Sequence, residues 1–170
     1  MQKENNTPTF VLAVVLIILG LFSRLIPHWP NFTALGAVAI FGGAAIKPRA
    51  LSALITLTIL LITDMLLGFY TGMWVTYLSF LFIAIIGSQL KTTSWQKIGL
   101  MGIGGSLFFY FTTNFGVWLS SGLYEQNIFG LAACYLAGLP FLLNFMLGTW
   151  FYSLVLFGFF KLLHSKLALA

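Results

Sequence analysis

Asp64 is the residue with the most chemistry to offer. It is the one acid inside Leu51–Phe69, a run otherwise long and apolar enough to cross a bilayer, whereas Glu4 and Glu125 fall in polar stretches. A carboxylate at membrane depth costs about 3 kcal/mol on insertion scales, so such residues pair with a cation, line a cavity or bind something. Arg24 and His28 are the nearest candidates by type, in the stretch Arg24-Leu25-Ile26-Pro27-His28-Trp29-Pro30-Asn31-Phe32-Thr33. Its two prolines fix φ and bias Ile26 and Trp29 toward extended geometry, which would present His28 and Asn31 in defined directions.

Two readings of this group stand side by side. In one, Asp64, Arg24, His28, Asn31 and Asn114 line an outward pocket for a polar ligand, with Trp118 and Trp74 as flat walls. In the other, Arg24 and Asp64 form an ion pair that makes a buried charge tolerable. Asn114 and Asn144 could equally cross-link the last two long helices. Trp74, Trp118, Tyr124 and Tyr135 could equally form an interfacial aromatic belt. A proton relay would call for a second embedded acid or a series of histidines, and the sequence has neither.

The elements that must position these residues follow from composition. Of the 170 residues, 60% are hydrophobic and 6% charged, against roughly 25% charged in a soluble domain. This predicts an all-α integral membrane protein of one domain. The net charge of +5 is spread over single basic residues at segment ends, which does not make a nucleic-acid footprint. Cys134 is the one cysteine, so no intramolecular disulfide or cysteine metal cluster is expected. Lys3 ahead of the apolar run Phe10–Phe22 resembles a signal peptide, but no small-x-small cleavage site follows. An uncleaved first transmembrane helix is the better reading.

Polar, proline and glycine breaks predict helices at about 9–26, 33–46, 50–69, 74–90, 98–118 and 139–163. The stretch Ile128–Leu163 is too long for one crossing of ~20 residues. Gly138 and Pro140 divide it, so a short re-entrant or interfacial helix is expected before the last span. With six crossings, Lys3, Lys47, Arg49, Lys91, Lys97, Lys161 and Lys166 fall on one side and only Arg24 on the other. The positive-inside rule then places both termini in the cytoplasm. At ~1.5 Å per residue, Asp64 lies about 21 Å from the inner end of its helix, and Asn114 and Asn144 about 26 Å. Polar and aromatic residues should therefore converge in the outward half.

Helix 2 carries Gly36, Ala39, Gly43 and Ala44, and helix 5 carries Gly99, Gly102, Gly105 and Ser106. Small-xxx-small spacing lets backbones approach closely, either for internal packing or, at Ala39 and Gly43, for docking of a partner membrane protein. The sequence has no P-loop lysine motif, no HExxH, no paired catalytic carboxylates and no Ser/His/Asp grouping. No segment reads as a filter loop. An enzyme or an ion channel is not the expectation.

Five stretches carry a resemblance: Arg24 to Thr33, Ala39 to Ala44 (AIFGGA), Thr63 to Phe69 (TDMLLGF), Thr113 to Trp118 (TNFGVW) and Gly130 to Tyr135 (GLAACY). Over about residues 10–160 the chain is similar to bacterial membrane proteins related to the substrate-binding S components of energy-coupling factor (ECF) transporters. The resemblance implies a six-helix S-component-like bundle whose site opens to the outside. It implies capture of a vitamin or other micronutrient and delivery through a transmembrane coupling protein driven by two ABC ATPases. The family pattern has an acid after the glycine of the last helix, where this chain has Gly148-Thr149. Met1-Gln2-Lys3-Glu4 lacks the early histidine of nickel and cobalt S components, so an organic ligand ranks above a metal and no cofactor is expected. The runner-up function is a scaffold protein of the cell envelope, in which the polar cluster is packing.

Overall fold

The computed structural model describes residues 7–90 and 94–167, with side chains over 9–90 and 94–162. Lys3, Lys91 and the side chain of Lys166, used above for orientation, lie outside these limits. The described residues form six α-helices and no strand: α1 Thr7–Leu25, α2 Leu35–Ala45, α3 Arg49–Leu67, α4 Met73–Gly87, α5 Trp95–Ser120 and α6 Ile128–Leu167. The breaks are the ones the residue types dictate. Pro27 and Pro30 separate α1 from α2, and Pro48 precedes α3. The α3–α4 turn rests on Gly68 at φ 102° and Gly72 at φ 81°, a region open to glycine and strained for other residues.

α2 is the hub. Every residue from Leu35 to Gly43 is buried, and the helix packs against all five others. A helix with no polar face has no side to give to water, so burial all round is its stable placement. Its small residues make that placement sterically feasible. A Cβ on Gly43 would come within 2.3 Å of the Ala84 carbonyl oxygen, and one on Gly87 within 2.8 Å of Ile40 Cα. Ala39 is fully buried. Ala39 and Gly43 therefore form an internal crossing of α2 on α4, which corrects the expectation of a partner-docking face there.

The expected short helix before about 138 is also corrected. α6 runs without interruption through Gly138 and Pro140. Gly138 is a contact residue, not a breaker: a Cβ there would lie 2.4 Å from Asn114 Oδ1 on α5. Pro140 removes one helical N–H without ending the helix, and the stretch around it is tied to α5: Tyr110 Oη donates to the Tyr135 carbonyl oxygen at 2.5 Å, and Tyr135 Oη donates to the Phe111 carbonyl oxygen at 2.9 Å.

Two stretches, Arg49–Leu67 and Ile128–Leu162, are long and apolar enough to cross a membrane. The outer surface is apolar on several helices, with Phe10, Leu54, Leu100, Phe111, Leu136 and Phe159 all exposed.

Candidate functional site

Residues of three connections, α1–α2, α3–α4 and α5–α6, come together at one end of the bundle: Asn31 and Thr33, Tyr70, and Tyr124. A cavity of about 430 Å³ lies there, within the range of small-molecule sites. Its floor is aromatic. The rings of Phe109 and Phe145 stack at 4.5 Å between centroids, and Phe80 meets Phe109 at 5.0 Å. Around this floor stand Arg24, Asn31, Thr33, Tyr70, Thr76, Thr113, Asn114 and Tyr124.

Arg24, in the last turn of α1, supplies the one formal charge in the cavity wall among the described residues. Its Nη2 contacts Asp64 Oδ1 at 2.8 Å, and its Nη1 donates to Thr63 Oγ1 at 2.5 Å. A guanidinium carries five N–H donors, so donors are left over for a ligand. Asp64 is 1% exposed and does not line the cavity. It stands behind Arg24 and fixes the direction of the guanidinium. Asp64 Oδ2 and the Tyr77 hydroxyl are both buried, and the two side chains interact.

The α1–α2 connection is tied down at several points. Ser23 Oγ accepts from the Ala34 N–H at 3.0 Å, supplying a side-chain acceptor beside the start of α2. Asn144 Nδ2 on α6 donates to the Pro30 carbonyl oxygen at 3.0 Å. Gly148 allows α6 to approach this loop, since a Cβ would meet Thr33 N at 3.0 Å. Asn31 adopts φ 64°, a left-handed conformation that Asn tolerates better than most residues, and it borders the cavity. Asn114 donates from Nδ2 to the Tyr110 carbonyl oxygen at 2.8 Å. Tyr70 lies in the α3–α4 turn; desolvation pushes its phenol up, and the Asp64 charge adds to this against a hydrogen bond to Thr76. It therefore enters the cavity as a neutral hydroxyl.

The structure brings Arg24, Asn31 and Asn114 together from the sequence-based set, and it leaves others aside. His28 is exposed and its Nδ1 lies 2.7 Å from the Ile26 carbonyl oxygen. Trp74 points outward and is exposed. Trp118 Nε1 donates to the Glu125 carbonyl oxygen at 2.9 Å and closes the α5–α6 loop. None of these three lines the cavity. Among the described residues no three His, Cys, Asp or Glu side chains gather as a metal site requires.

A model described as a family of unknown function, DUF6580, matches residues 3–170. The chain belongs to that family. No curated protein and no solved structure matches it. In this DUF6580 member the wall residues that sequence reasoning missed are the threonines and phenylalanines of the cavity. Their signal was present as helical spacing: Thr76 and Phe80 on α4, Phe109, Thr113 and Val117 on α5, Cys134, Gly138, Phe141 and Phe145 on α6. Residues three and four apart share one helix face, so each set forms a single stripe.

Proposed function

We propose that this DUF6580 protein is a multi-pass inner-membrane subunit that captures a small organic molecule at its outer face. Both termini lie in the cytoplasm and the cavity opens outward. The single observation that carries the reading is the cavity of about 430 Å³ that joins an aromatic floor to a cation, two amides and several hydroxyls. Such a mixture suits a flat body with a hydrogen-bonding head. Phe80, Phe109 and Phe145 form the surface for the body. Arg24, Asn31 and Asn114 meet the head. Asp64 acts through Arg24 as a positioning residue.

By the resemblance to ECF S components, the captured molecule is vitamin-like, and transport energy comes from two ABC ATPases through a transmembrane coupling protein. Because α2 is enclosed, that partner would meet an outer face of the bundle. One observation favours the scaffold alternative: the Arg24–Asp64 contact at 2.8 Å already gives the buried acid its counter-ion. The experiment that separates the two is mass spectrometry of small molecules released from protein purified out of native membranes. Ala137 borders the cavity, so Ala137→Trp fills it. Capture predicts a compound released in near-equal amount to the wild-type protein and missing from the filled variant. Identical, empty profiles for both proteins would rule it out and leave the scaffold.

A further inference from the structure

The side of the bundle between α4 and α5 carries a second recess, of about 700 Å³, at the opposite end from the ligand cavity. Its length is apolar, bordered by Leu100, Gly104, Phe82 and Phe108 among others, and its mouth holds Gln89 and Lys97. Phe82 and Phe108 stack at 4.1 Å between centroids and close the far end. Midway, Gly104 leaves a slot: a Cβ built there meets nothing within 4 Å. From Lys97 to Phe108 the helix rises about 16 Å, close to half of a ~30 Å hydrocarbon core. The mouth lies at the level of Trp95, whose ring carries Lys161 Nζ at 4.2 Å. Tryptophan and lysine at one helix end mark a headgroup interface. Among the described residues no carboxylate lines the recess.

We propose that this groove binds one anionic phospholipid, with an acyl chain along the glycine slot and the headgroup phosphate on Lys97 and the Gln89 amide. The proposal rests on the membrane embedding given above and is independent of the outer ligand. Length and charge both choose this occupant. The slot is one leaflet deep, and Lys97 has no acid beside it in the groove. A zwitterionic lipid would bring its own cation against that lysine, whereas phosphatidylglycerol would not.

The test is native mass spectrometry of the protein released from nanodiscs of equal phosphatidylglycerol and phosphatidylcholine. The wild-type protein should retain phosphatidylglycerol several-fold over phosphatidylcholine. Lys97→Gln, at an exposed position, should fold normally and lose the headgroup preference. Gly104→Leu places its side chain in open space, so it should fold and retain neither lipid. Equal retention of the two lipids by the wild-type protein would overturn the proposal. So would an unchanged preference in Lys97→Gln, a folded Gly104→Leu that still holds lipid, or a second copy of the chain retained in place of lipid.

Discussion

Asp64 and Arg24 decide how the charged residues are to be understood. The carboxylate is 1% exposed and has no water to fall back on, while the guanidinium, 16% exposed, borders the cavity. Removing one partner of such a pair leaves an uncompensated charge and costs about 3–5 kcal/mol. Asp64→Asn should therefore lower the unfolding stability of the purified protein by about that amount. Asp64→Asn with Arg24→Gln should recover most of the loss, since the two charges leave together. Thermal unfolding in detergent of the two single variants and the double variant measures the coupling, and strictly additive losses would refute the pairing. The double variant should still fail to capture ligand, because the cation in the cavity wall is gone. Asp64 was legible in the sequence as the one acid inside a long apolar run. Its direction was not, because residue counts give height along a helix axis but not which neighbour a side chain meets once the helices pack.

At the scale of elements, glycine position separates contact from open space. Gly43 faces the α4 backbone with 2.3 Å of room for a Cβ, and backbone atoms cannot swing aside as a side chain can. Gly43→Ala should destabilise the bundle by about 1–3 kcal/mol, the cost of overpacking. Gly104→Ala, in open space, should stabilise α5 by about 0.5–1 kcal/mol through helix propensity alone. Comparing the unfolding midpoints of the two variants checks the account, and equal shifts would contradict it. The apolar runs and the proline and glycine breaks made five of the six helices readable to within a few residues. The exception was α6, where Gly138 and Pro140 spelled a break. What overrides that local signal is tertiary: Asn114 needs the space a glycine leaves, and Tyr110 and Tyr135 tie this part of α6 to α5.

At the scale of the whole molecule, the polar convergence expected from helix depth corresponds to one cavity at the end bearing the three connections. Arg24, Asn31, Asn114 and Tyr124 reach it from α1, two connecting loops and α5. The aromatic floor was hidden because a phenylalanine at helical spacing reads as core until the neighbouring helices are in place. The proposed topology has a direct check: reporter fusions after Ala170 should report cytoplasm, and fusions within 121–127 the outside. An external C-terminus would invert the cavity and remove the capture reading.

The central claim is that this cavity holds a small organic molecule, and the most direct measurement is an experimental density map of protein purified from its native membrane with nothing added. The account predicts continuous density for a flat molecule over Phe109 and Phe145, with its polar end within hydrogen-bond distance of Arg24, Asn31 or Asn114. A cavity holding only ordered water, or closed by the side chains that border it, would contradict the claim.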